Sequence, residues 1–146
     1  MQSYDLIIVD AFHGGFVPFH MLTREFYELL KQRLAPHGAA VFNVHDGTKL
    51  YVSTLKTLGA VFPTVQLFPS GEGEVAVVVA LDSVADEDVS RRAAALDQKY
   101  RFRFQLAELL KRRIPLPSMR GAEMLTDDFA PVDLYKTIGR EPRKKK

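Results

Sequence analysis

The chain contains no cysteine. That excludes disulfides, thiolate metal centres and a cysteine nucleophile. No apolar run reaches the length of a membrane span, and the longest, 75–81, is the size of a strand. The N-terminus lacks the basic region and cleavage site of a secretory signal, so a cytoplasmic location is expected. There is no P-loop, no G-x-S-x-G elbow and no internal repeat. Gly71 and Gly73 form a G-x-G, but in a turn between two strands rather than between a strand and a helix. What is present is globular: 146 residues, 47% hydrophobic, enough for one domain with a real core.

Charge is uneven. Through residue 85 there are five Lys and Arg against eight Asp and Glu, a balance of −3. From Asp86 onward there are 15 against 10, a balance of +5. The excess lies in 91–113 and in the tail "REPRKKK". No aromatic residues interleave with the tail's charges, so it is read as a solvated, disordered terminus and nucleic acid is not expected as a partner.

"YDLIIV", Tyr4–Val9, is apolar without alternation and reads as a strand buried on both faces. It delivers Asp10 into a loop containing Gly14 and Gly15. Thr23 is a plausible N-cap for an amphipathic helix over 24–34, with Phe26, Leu29, Leu30 and Leu34 at helical spacing. "APHG" stops it, with Gly38 as a left-handed cap. A second buried strand follows at 39–45. A second helix spans 48–58, with Leu50, Leu55 and Leu58 inward, and Gly59 ends it. Strands at 64–68 and 74–81 flank the turn "PSGEG" and form a hairpin. Alternating strands and helices predict a mainly parallel sheet, closed by one antiparallel strand. Beyond residue 81 a helix capped by Ser83 or Asp86, a second at 104–113 and a proline-punctuated irregular segment form an appendage.

Those residues carry a resemblance. "YDLIIVDAF" followed by "VPFHMLTREFYELLKQRLAPHGAAVFNVH", together with "LTDDFAPVDLY" at 125–135, is similar to the second half of spermidine synthase-like proteins. These are polyamine aminopropyltransferases on the class I S-adenosylmethionine-dependent methyltransferase fold. The resemblance implies an α/β, Rossmann-like partial domain over 1–82, a helical and extended appendage over 83–136, and a basic tail over 137–146. In that fold the glycine-rich cofactor loop and the ribose-binding acid precede the strand that begins here. The resemblance therefore implies a chain that binds no cofactor tightly by itself. Decarboxylated S-adenosylmethionine would be the co-substrate, and a polyamine-type amine the acceptor.

The resemblance makes Asp10 the catalytic base. A carboxylate at the carboxyl end of a sheet strand suits that task, because open α/β sheets bind ligands there. It places Ala11 and Phe12 at the cofactor, and His13, Asp127 and Asp128 at the substrate. The family pattern has a second acid where this chain has His13, and an imidazole cannot replace an anion facing an ammonium. His13, His20 and His45, with Asp10 and Asp46, match no ligand spacing, so no metal is expected. Phe26, Tyr27 and Phe42 are read as core. Three readings stay open: a catalytic portion of an aminopropyltransferase, a non-catalytic binding or assembly module, and an inactive truncated fragment. With its strands ordered first, second, fourth, third, Tyr4–Val9 lies at an edge and is expected to pair with a complementing N-terminal half or a second copy.

Overall fold

The computed structural model describes residues 3–11, 17–48, 50–70, 75–82 and 86–128. Within them the elements run β1 (Tyr4–Val9), a 3-10 turn (Phe19–Met21), α1 (Arg24–Arg33), β2 (Leu34–His45), α2 (Tyr51–Val61), β3 (Thr64–Pro69), β4 (Val75–Leu81), α3 (Asp86–Tyr100) and α4 (Leu106–Leu110). The four strands form one sheet in the order β1-β2-β4-β3. β1 runs parallel to β2, and β4 lies antiparallel to both β2 and β3. This is the expected α/β arrangement, with the hairpin closed by Ser70 N–H donating to the Val75 carbonyl at 3.0 Å. The Gly71–Gly73 turn and Ser83 lie outside the described residues.

Register decides which side chains become core. Val9 pairs with Phe42, Phe42 with Val78, and Val78 with Leu67, so these four share a face. On that face Ala40, Phe42, Val44, Ala76, Val78, Ala80 and Leu67 are buried with Tyr27 of α1, Leu55 and Leu58 of α2, and Phe62, which follows α2. Tyr27 meets Phe42 edge-on, with ring centroids 5.3 Å apart at 76°. Phe42 meets Phe62 at 6.5 Å and 63°. Edge-to-face aromatic contacts of this kind add to simple area burial. The buried residue of α1 is Tyr27, with Phe26 and Leu30 partly buried, while Leu29 is exposed despite its helical spacing.

The opposite face differs from the sequence-based expectation. β1 is not buried on both sides. Leu6 is 53% exposed and Ile8 67%, because α1 and α2 cover only the other face and β1 is the last strand of the described sheet. Val77, on the same face, is also exposed.

Three boundaries also move. The helix 24–34 is not followed by a glycine cap; β2 begins at once with Leu34. Tyr4 pairs with Leu34 and Leu6 with Ala39, so β2 bulges, and His37 rather than Gly38 takes the left-handed conformation, at φ 65°. Gly38 is needed for close approach: a Cβ there would sit 2.9 Å from the Ala35 carbonyl oxygen and 3.0 Å from that of Tyr4. Gly59 does not end α2, which runs on to Val61 with open space around Gly59. The helix expected at 104–113 shrinks to Leu106–Leu110, because the chain then turns so that Ile114 N–H reaches the Leu67 carbonyl of the β3 edge at 2.9 Å.

Gly38→Ala should lower stability by about 1–3 kcal/mol, the usual cost of forcing an extra methyl against fixed backbone. His37→Gly should change it little or raise it, since glycine relieves a left-handed cost of about 1–2 kcal/mol. Urea denaturation midpoints of the two variants check the bulge directly.

Candidate functional site

Asp10 follows the last residue of β1 and is exposed. The β1–β2 register that pairs Val9 with Phe42 brings the next residue of each strand together. Asn43 Nδ2 donates to Asp10 Oδ1 at 3.0 Å. The other half of that amide, Oδ1, is buried and has no hydrogen-bond partner among the described residues. A buried carbonyl oxygen left unpaired costs on the order of 1–3 kcal/mol. The pair thus consists of an exposed anion oriented by a neutral donor, with an unused acceptor beside it. Asn43 was missed in the sequence. Its signal was there: it is the only polar residue in the run "AAVFNV", where a polar side chain in a strand needs a reason.

Ala11 is partly buried and helps to line a small pocket with Val9, Val17, Met21, Tyr27, Phe42 and Asn43. Its volume of about 20 Å³ admits about one water molecule, not a nucleoside. Burial pushes the Tyr27 phenol well above its ordinary range, so it remains protonated. Tyr51, at the start of α2, is likewise raised by burial and by the nearby charge of Asp46. Phe12, His13, Gly14 and Gly15 lie outside the described residues. No cluster of three or more His, Asp and Glu that could hold a metal occurs among the described residues.

Asp127 and Asp128 are placed by a different mechanism. The segment 122–127 is sewn onto α2 and the start of α1. Lys56 Nζ donates to the Ala122 carbonyl at 2.7 Å, Glu123 N–H to Ser53 Oγ at 3.1 Å, and Leu125 N–H to Thr57 Oγ1 at 3.0 Å. Thr57 in turn donates to the Ser53 carbonyl at 2.7 Å, so its buried hydroxyl is used in both senses. Leu125 is buried with Phe19, Leu22 and Leu50, and its carbonyl accepts from Arg24 N–H at 2.8 Å. Thr23 caps α1 as expected, accepting from Phe26 N–H at 3.4 Å. Asp127 N–H donates to Glu25 Oε2 at 3.0 Å, and both acids at 127 and 128 remain exposed. They are therefore anchored to the first turn of α1, while Asp10 is anchored to β2. His20 is exposed.

A second concavity, of about 420 Å³, lies along the opposite sheet edge. Val65, Leu67, Leu110, Lys111, Ile114 and Leu116 are among its lining residues. It is formed by the β3 edge and the segment that follows α4, remote in strand order from Asp10. No described helix is long and apolar enough to cross a membrane.

No family model matches the chain. A polyamine aminopropyltransferase of Vibrio vulnificus is 31% identical to it over 143 residues, an alignment covering 92% of this chain and 47% of that protein. The crystal structure of a probable spermidine synthase from Corynebacterium glutamicum is similar, with a TM-score of 0.58 at 24% identity, covering 88% of this chain and 49% of that one. Human methyltransferase-like protein 13, solved in complex with SAH, is similar with a TM-score of 0.55 at 18% identity, over 91% of this chain and 56% of that one. The fold is thus that of the class I methyltransferases, and the chain spans about half the length of the relatives it matches.

Two outcomes check the anchoring of 122–127. Thr57→Val keeps the shape but leaves Leu125 N–H without its acceptor, and should cost about 1–3 kcal/mol in denaturant. The Glu25 carboxyl is held below its ordinary range, first by its own backbone N–H and then by that of Asp127. A lowered folded-state pKa stabilises above the unfolded value and is lost as pH falls through the folded value. The wild type should therefore lose stability below the normal carboxylate range, and Glu25→Gln should lose less over that same interval.

Proposed function

We propose that this chain, which is similar over 92% of its own length to a polyamine aminopropyltransferase, supplies the general base of an aminopropyl-transfer site, with Asp10 as the base. The observation that carries this reading is the Asp10–Asn43 hydrogen bond at the end of β1. In the transfer, an amine nitrogen attacks the carbon bonded to the sulfonium of decarboxylated S-adenosylmethionine. A C–N bond forms, the C–S bond breaks, and its electron pair neutralises the sulfur. The proton released from nitrogen goes to the Asp10 carboxylate. An amide donor suits that role, because it fixes the carboxylate without cancelling its charge, as a lysine or arginine would. Ala11 and Phe12 would face the nucleoside, and His13, Asp127 and Asp128 the amine.

The pocket that the described residues form beside Asp10 has room for about one water molecule, and in this reading the nucleoside is enclosed by further polypeptide. The exposed Leu6 and Ile8 of β1 suit that purpose. An edge strand with apolar, uncharged side chains is a template for pairing. A complementing half-domain is the occupant proposed for it, with self-association as the competing outcome. The second reading, a non-catalytic assembly module, is favoured by His13, which stands where the family pattern has an acid.

Four measurements separate these readings. Isothermal titration of the chain alone should give no saturable micromolar binding of S-adenosylmethionine, its decarboxylated form or methylthioadenosine; such binding would overturn the need for a second segment. Light scattering after size exclusion should show association that weakens on dilution. A concentration-independent monomer with a cooperative melt would sink the edge argument. In a complex completed with the first half of a relative, Asp10→Asn should reduce transfer by roughly 10²–10⁴-fold with an unchanged circular dichroism spectrum. Near-normal turnover would move the base elsewhere. In that same complex Asn43→Asp would set a second carboxylate beside Asp10. It should shift the acid limb of the pH–rate profile upward, because neighbouring like charges resist ionising together.

A further inference from the structure

The end of α3 and the link to α4 read "KYRFRF", Lys99 to Phe104. Its three rings do not enter the core: Tyr100 is 54% exposed, Phe102 43% and Phe104 56%. They pack on one another instead. Tyr100 and Phe102 have centroids 5.7 Å apart at 30°, and Phe102 and Phe104 are stacked at 5.9 Å with planes within 7°. Lys99 Nζ lies 4.9 Å from the Tyr100 ring centre and closes that end of the ladder. Arg101 and Arg103 alternate with the rings and are exposed.

The ladder is held, not merely collapsed. Arg101 takes a left-handed conformation, φ 48°, and its N–H donates to the Asp97 carbonyl at 3.0 Å. The Asp97 carboxylate accepts from Leu106 N–H at 2.8 Å and Ala107 N–H at 3.0 Å. One residue thus clamps both ends of the link, and its charge is taken up by backbone donors. Glu108, the other acid of 91–113, pairs with Lys111 at 2.6 Å. The acids nearest the ladder are occupied locally, while eight Lys and Arg stand against two acids in 91–113.

We propose that Tyr100, Phe102 and Phe104, with the interleaved Arg101 and Arg103, form a binding platform for single-stranded nucleic acid. The exposed rings, Phe102 and Phe104 parallel and Tyr100 tilted 30° from Phe102, offer π-faces to bases, and alternating cations suit a phosphate chain running beside them. A preformed platform also loses little side-chain freedom on binding. A lipid surface fits less well, since it needs no parallel rings and the residues between them are arginines. The interleaving absent from the C-terminal tail is present here, and the inference stands apart from the reading of Asp10.

The test uses the full chain and a fluorescein-labelled 15-nucleotide oligo(U), followed by fluorescence anisotropy over a salt series. Saturable micromolar binding is expected, and weaker binding to a duplex of equal length. Phe102→Ala with Phe104→Ala should weaken it by roughly tenfold or more. Arg101→Gln with Arg103→Gln should reduce the salt slope by about 1.4, at about 0.7 per phosphate contact on single strands. The tail is unchanged in both variants, and thermal melts matching wild type establish that the fold survives. Absence of saturable binding would overturn the proposal. So would affinity indifferent to the rings, or ring-dependent binding to phosphatidylserine vesicles or polyglutamate with none to oligo(U).

Discussion

The register of β2 is the constraint on which the other features depend. This strand pairs parallel with β1 on one side and antiparallel with β4 on the other. Its alternation sends Ala40, Phe42 and Val44 into the core beneath α1 and α2. The same alternation puts Asn43 between two core residues, facing Asp10 across the strand pair. A slip of one residue would exchange those sets, exposing Phe42 and burying an amide. The bulge at Leu34–Gly38 protects against that slip. It consumes the extra residues between the end of α1 and the Leu6–Ala39 pair, and it fits only because Gly38 has no side chain to meet the Tyr4 carbonyl.

Much of this was legible in the residues. The helical spacing of Leu50, Leu55 and Leu58, the Thr23 cap and the hairpin order all follow from local chemistry that tertiary contacts did not override. The failures share a cause. An uninterrupted apolar run such as "LIIV" states that a strand can be buried on two faces, not that something is present to bury it. Gly38 and Gly59 were read through backbone freedom alone. At Gly38 the deciding fact is crowding by the carbonyls of Ala35 in the same bulge and of Tyr4 and Asp5 in the neighbouring strand; at Gly59 there is nothing to accommodate. Local sequence cannot report either.

The candidate site shows the same division. Asp10 is marked by its position after a strand, which a single segment reveals. Asn43 stands out in its strand as the one polar residue of "AAVFNV", but its partner is set only by pairing across 33 residues. The segment at 122–127 is more extreme. Its contacts with Ser53, Lys56 and Thr57 reach back 66 to 70 residues, and none of them uses the side chains of Asp127 and Asp128, which drew attention in the sequence. Those two carboxylates are left free to face solvent or ligand because the backbone does the anchoring.

The one-sided sheet links fold to function. On the helical face the central strands are buried, Val9 and Val65 partly so, and Tyr27, Phe42 and Phe62 pack edge to face over them. On the other, Leu6, Ile8 and Val77 form an apolar surface that meets no helix of comparable packing among the described residues. Asp10 and Asn43 stand at the end of the strands that carry this surface. Apolar cover over it would also reduce water around the carboxylate. Loss of water raises a carboxyl's pKa and strengthens its attraction for a cation. On the proposed reading of Asp10 as a base, apolar cover over this face would therefore tune it as well as complete the sheet. The proposed closure and the proposed chemistry are thus coupled through the solvent at one strand end, where the Asn43 amide holds the Asp10 carboxylate.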